Sequence, residues 1–217
     1  MRLASPALPV GGFSYSEVLE AAIDCGLVSD ADTARAWLLD QLHLGLARCD
    51  LPLVADAHDA WSRGDFVHVA ALNRWATTVR ETSELQLQAQ QMGRSLADWL
   101  RRRAPGEAAI EQAVALQPAP AWPVVFALAV ARCGAPVHDG LITFALGWAE
   151  NMVQAAIKAV PLGQSAGQRL LDALAAALPQ AVDAALAMTP GQRQAFAPML
   201  AILSARHETQ YSRLFRS

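Results

Sequence analysis

The chain has 217 residues, 53% of them hydrophobic and 17% charged, with a formal net charge of −3. A chain this long and this apolar can bury a real core and is too apolar to be disordered. The slightly acidic balance argues against nucleic acid as a partner; the one basic run, Arg101-Arg102-Arg103, falls at an expected helix end, where it complements the helix dipole. In chain order, Met1 to Pro6 contains no long apolar core of a signal peptide. Gly12-Phe13-Ser14-Tyr15-Ser16 reads as a turn into a first helix at about 15–26. Further helices are expected at 31–48, 51–63 and 65–77, with Asp30, Asp50 and Asp65 as candidate N-caps and Pro52 in a first turn. Residues 79–102 carry Leu85, Ala89, Met92, Leu96 and Trp99 in steps of four and three, one apolar stripe of a helix. The stretch 103–120, with Pro105-Gly106 and Pro118-Ala119-Pro120, is expected to be the most mobile loop. A helix over 121–133 follows. Residues 137–159 repeat the stripe with Leu141, Ala145, Trp148, Met152, Ala155 and Ala159. A polar strip of Gly147, Asn151, Gln154 and Lys158 lies beside it, which predicts a central helix. Pro161-Leu162-Gly163 separates it from helices at 164–187 and 191–213.

No stretch has strand character with hairpin turns, and no repeat recurs at a fixed period. The expected fold is therefore all-α: a single irregular helical bundle of about eight to ten helices spanning 1–217. No stretch of 18 or more apolar residues runs without polar interruption, so no membrane span is expected. Cys25, Cys49 and Cys133 are far apart and form no C-x-x-C pair. Buried, reduced thiols in a cytoplasmic protein are expected rather than a disulfide framework or a zinc site.

Candidate chemistry is sparse. Gly163-Gln164-Ser165-Ala166-Gly167-Gln168-Arg169 has three residues between its glycines where a phosphate loop needs four, and then lacks the Lys-Ser/Thr pair. Asp56, His58 and Asp59 read as a solvated helix face, because His58 points away from the two aspartates. No nucleophile elbow is present. His207 is the weak, transient candidate for a metal ligand, since one imidazole falls far short of a ligand set; a hydrogen-bonded histidine is the plainer reading. Neither an enzymatic constellation nor a cofactor site is expected. Lys158, the only lysine, is either a snorkelling helix-end side chain or a partner contact. The segment 207–217 mixes Tyr211, Leu214 and Phe215 with Arg213 and Arg216, a composition typical of interface hot spots. It is expected to be a docking element that is mobile when free and ordered when bound, its apolar residues sharing one helical turn.

Several stretches resemble one family. Leu3-Ala4-Ser5-Pro6-Ala7-Leu8-Pro9-Val10-Gly11-Gly12-Phe13-Ser14-Tyr15-Ser16-Glu17 is similar to the N-terminal signature of the UreF urease accessory proteins. So are Arg80-Glu81 with Glu84, Gln91-Met92-Gly93, Ala156-Ile157-Lys158 and Pro161-Leu162-Gly163-Gln164. The ending His207-Glu208-Thr209-Gln210-Tyr211-Ser212-Arg213-Leu214-Phe215-Arg216-Ser217 is the most specific match. Val18 departs from the pattern, standing where the family usually has glycine. The resemblance implies a non-catalytic, cytoplasmic homodimer. It binds UreD (UreH in some bacteria) and the GTPase UreG, and the assembly delivers nickel to apo-urease. It places partner contacts at Tyr15, Glu17, Glu20, Asp50, Lys158, Gln164, Glu208, Tyr211, Arg213, Leu214, Phe215 and Arg216. Two alternatives remain: a direct nickel-binding metallochaperone, and a regulator of GTP hydrolysis.

Overall fold

The computed structural model describes residues 3–5 and 8–217, so Met1, Arg2, Pro6 and Ala7 of the N-terminal stretch lie outside it. The described residues form helices and no strands, in the order α1 (Leu19–Asp24), α2 (Ala31–Asp40), α3 (Asp50–Arg63), α4 (Phe66–Thr78), α5 (Ser83–Arg103), α6 (Ala108–Val114), α7 (Trp122–Arg132), α8 (Val137–Ala159), α9 (Gln164–Leu186) and α10 (Pro198–His207). The all-α expectation therefore holds.

Local signals explain most boundaries. Asp30 caps α2 by accepting the Thr33 N–H at 2.8 Å, and Asp65 caps α4 by accepting the His68 N–H at 3.0 Å. Asp50 is not a cap. It is the first residue of α3, behind Cys49, and its carboxylate turns to Arg80 instead. The expected 31–48 helix is α2 followed by a π-helical segment at Gln41–Leu46. The 103–120 stretch is not a plain loop: it holds α6, whose Ile110 and Ala113 are fully buried.

The centre of the bundle is α7, not α8. Every residue from Pro123 to Val130 is buried, and α7 packs along α3 and α5. A helix apolar on all sides must be enclosed, whereas α8 keeps Gln154 and Lys158 in solvent. Helix α8 packs instead along α9. Phe126 makes edge contacts with Trp122 and Phe144, at ring-centre distances of 5.3 and 5.0 Å. Buried apolar side chains from α1 to α10 form one continuous cluster.

Helix α5 buries a seam different from its largest side chains. Ala89, Gly93, Leu96, Ala97 and Leu100 face inward, while Leu85, Met92 and Trp99 are only partly buried. The cause is Gly93. A Cβ there would lie 2.0 Å from the Pro120 carbonyl oxygen, so the chain entering α7 rests directly on the α5 backbone.

The expected 191–213 helix is much shorter. Residues 193–197 run as a strap across α3. Gln194 N–H donates to the Arg48 carbonyl at 3.0 Å, Arg193 pairs with Asp56, and the Arg193 guanidinium lies 5.2 Å from the Trp75 ring centre. Only at Pro198, suited to a helix start, does α10 begin.

Gly93→Ala tests this packing. Because the clash is with backbone and not with a movable side chain, we expect a loss of at least about 2 kcal/mol in denaturant unfolding. An unchanged unfolding midpoint would contradict the close approach.

Candidate functional site

The two stretches with the most distinctive sequences lie at opposite ends of the chain, and the fold brings them together. At the N-terminal end, Gly12–Ser14 form a short 3-10 turn and Tyr15 is extended. Glu17 and Val18 then adopt left-handed backbone angles, φ 48° and 73°. Left-handed geometry costs a non-glycine residue about 1–2 kcal/mol. The kink it creates turns Glu17 inward. The Glu17 carboxylate accepts Trp148 Nε1–H at 2.7 Å and Gln88 Nε2–H at 2.9 Å, and its carbonyl accepts Gln41 Nε2–H at 3.0 Å. Burial pushes the Glu17 pKa above the ordinary glutamate value; the Trp148 hydrogen bond opposes this, and Asp50 adds a weaker push upward.

Glu20, in the first turn of α1, holds the C-terminal end. Its two carboxylate oxygens accept the backbone N–H groups of Leu214 at 2.7 Å and Phe215 at 2.8 Å. His207 ends α10 with its side chain 1% exposed, between Glu84 (Nδ1 to Oε2, 2.6 Å) and Glu20 (Nε2 to Oε2, 3.3 Å). Both ring nitrogens face carboxylates. Arg213 donates to the other Glu84 oxygen at 2.6 Å. Glu208 accepts the Ser83 hydroxyl and the Ser83 N–H, which hold its pKa below the usual value.

The last residues close onto the first turn. Arg216 N–H donates to the Ser14 carbonyl at 2.9 Å. The Ser217 carbonyl accepts Ser16 N–H at 2.8 Å and Ser16 Oγ–H at 2.6 Å, and Ser217 Oγ–H donates to Gln88 at 2.7 Å. Phe215 is buried, with Lys158 Nζ 6.0 Å from its ring centre. The tail is thus not free in the isolated chain. It is also not helical, since α10 stops at His207. Tyr211, Leu214 and Phe215 do not share a face: Phe215 is inside, while Tyr211 and Leu214 are fully and largely exposed.

Of the candidate residues, Tyr15, Glu17, Glu20, Lys158, Glu208, Arg213, Phe215 and Arg216 fall in this one assembly. Asp50 lies beyond Glu17, in a largely buried pair with Arg80. Burial, with a smaller push from the Asp50 charge, raises the neighbouring Cys49 thiol to about 12. Gln164 is exposed at the start of α9, apart from the tail. Glu17, Asp50, Arg80 and Lys158 also line a cavity of about 1000 Å³ with apolar walls. Sequence reading did not single out Glu84, Gln88 and Ser16 as a group. Glu84 alone had a local signal, as an acid in the first turn of α5, but there it looks like a dipole partner. Among the described residues, no group of three or more His, Cys, Asp or Glu could hold a metal ion. Nor is any helix there long and apolar enough to cross a membrane.

Residues 28–175, well over half the chain, match the family model described as UreF. The chain is 64% identical to the urease accessory protein UreF of Methylibium petroleiphilum, covering all of this chain and 92% of that protein. It is 62% identical to the protein of the same name from Paracidovorax citrulli, over 99% of this chain and 86% of that protein. The corresponding Cupriavidus necator protein is 47% identical over the full chain and 96% of its own length. The chain belongs to the UreF family of urease accessory proteins.

The departure at Val18 from the usual UreF glycine now has a physical reading. Val18 sits at φ 73° yet is completely buried in the core cluster. Burying a valine contributes about 1.5–3 kcal/mol, enough to offset the left-handed strain.

Two outcomes follow. Glu20→Ala should lower stability by about 2–3 kcal/mol, because it removes the charged acceptor of two backbone N–H groups and of His207. It should also expose the tail to trypsin at Arg206 and Arg213; a tail as resistant as in the unaltered protein would contradict the role given to Glu20. For Glu17, the folded-state pKa lies above the unfolded one, so the folded state binds more protons and loses stability as pH rises. The unaltered protein should therefore gain stability relative to Glu17→Gln as pH falls from neutral toward the ordinary glutamate range. Parallel curves in urea titrations at several pH values would refute this.

Proposed function

We propose that this chain is a non-catalytic scaffold in urease maturation, acting as a homodimer that bridges UreD (UreH) and the GTPase UreG. On this reading nickel is cargo, passed toward apo-urease by the assembly in the cytoplasm. The observation that carries the proposal is the joining of the two chain ends. Glu20 and Ser16 tie residues 214–217 into the fold, while Tyr211 at full and Leu214 at 60% exposure stay outside beside Arg213. A rigidly held segment presenting an aromatic, a leucine and arginines is a low-entropy docking edge. UreD is assigned to this edge, so the segment 207–217 serves docking by a fixed shape and not by folding upon binding.

The UreG-facing side is assigned to Glu20, Asp50 and Lys158. Lys158 supports this best, as an exposed cation at the C-terminal end of α8 with a long contact to the Phe215 ring. Asp50 is held by Arg80 and acts through that pair.

Co-purification of this chain with UreD and UreG from one genome tests the proposal. Tyr211→Ala combined with Leu214→Ala should leave the melting temperature within about 2 °C, since both side chains are exposed, and should weaken UreD capture at least tenfold. Undiminished capture would remove UreD from this edge. Lys158→Ala with unaltered UreG recruitment would remove Lys158 from the other.

A further inference from the structure

A second, smaller concavity of about 450 Å³ lies on the outer side of the N-terminal turn, walled by Gly11 and Ser14, by Gln91, Arg94 and Ser95 of α5, and by Arg216. Its chemistry differs from that of the rest of the surface. Two guanidinium groups line it and no carboxylate does. Neither arginine forms an ion pair among the described residues, and the undescribed positions include no Asp or Glu. Asp98, one turn along α5 from Arg94, is engaged by Arg101 at 2.8 Å. Among the described residues Arg35, Arg63, Arg80, Arg101, Arg132, Arg193 and Arg213 pair with an acid, whereas Arg94 and Arg216 do not and share one hollow.

The two arginines are placed and not merely tethered nearby. Arg216 is fixed by its backbone N–H on the Ser14 carbonyl at 2.9 Å. The buried Tyr15 hydroxyl, in the same lining, donates to Gln91. Arg94 stands on α5 one turn before the seam at Ala97, on the helix that also carries Gln91. The Ser14 and Ser95 hydroxyls complete a lining rich in donors.

The geometry points to this hollow as a binding site for a small phosphate-class oxyanion. A planar guanidinium group offers paired N–H donors suited to the oxygens of a tetrahedral anion, and the serine hydroxyls add further donors. Bound there, the anion would link α5 to the last residues of the chain. The assignment does not depend on the scaffold role, and it can fail or stand separately.

The test is titration of inorganic phosphate into the full chain by calorimetry, with sodium chloride holding ionic strength constant. The expected result is saturable one-site binding with a Kd of order 1 mM or tighter. Arg94→Ala should weaken it about tenfold or more while leaving the phosphate-free melting temperature unchanged, because Arg94 is exposed and forms no ion pair among the described residues. Arg102→Ala, an exposed arginine near the end of the same helix, should bind phosphate like the unaltered protein. Absence of saturation overturns the site. So does an equal effect of Arg94→Ala and Arg102→Ala, which would mean diffuse attraction to a basic surface.

Discussion

The Glu20 carboxylate is the constraint on which the functional end of this molecule depends. A carboxylate this enclosed is tolerated only where its oxygens are satisfied. Here the partners are the N–H groups of Leu214 and Phe215 and the ring of His207. These are contacts between residues nearly two hundred positions apart. Closing so long a loop carries an entropic cost that local helices do not meet, so several bonds act together: Ser16 with Ser217, Glu84 with His207 and Arg213, Glu208 with Ser83. Removing a single charged acceptor leaves two backbone donors unpaired, the one on Phe215 partly buried, and that asymmetry makes Glu20 weigh more than its neighbours.

The strained turn at Glu17 and Val18 belongs to the same device. Without the left-handed kink, α1 could not begin at Leu19 with Glu20 aimed at the tail and Glu17 aimed at Trp148. Strain persists where the surroundings over-determine it, and here a buried valine and a hydrogen-bonded glutamate do so. The product is a surface built from both ends of the chain, with exposed Tyr211 and Leu214 on one side and Lys158 on the other. That suits a protein of the UreF family, whose members are named as urease accessory proteins and not as ureases.

How legible this was in the sequence depended on distance along the chain. The long helices α5 and α8 announced themselves by periodicity, and Asp30 and Asp65 by capping chemistry, because both signals are local. The seam of α5 was misjudged because Gly93 carries no hydrophobic weight, yet it sets where the backbone before α7 lies. Asp50 looked like a cap from its place before a helix; only the fold supplies Arg80, thirty residues on. The tail was misread for the same reason. Its aromatic and arginine content looked like a free docking peptide, while the partners that pin it are at positions 14, 16, 20, 84 and 88. Family resemblance marked many of these residues; it did not reveal that they bind one another.

The most direct measurement is amide hydrogen exchange of the isolated chain, read at Leu214 and Phe215. If Glu20 closes the chain ends as described, these two amides exchange as slowly as the helical amides of α1, with protection lost together in one opening event. Exchange of both at the rate of an unstructured peptide, while α1 stays protected, would contradict the account at its centre.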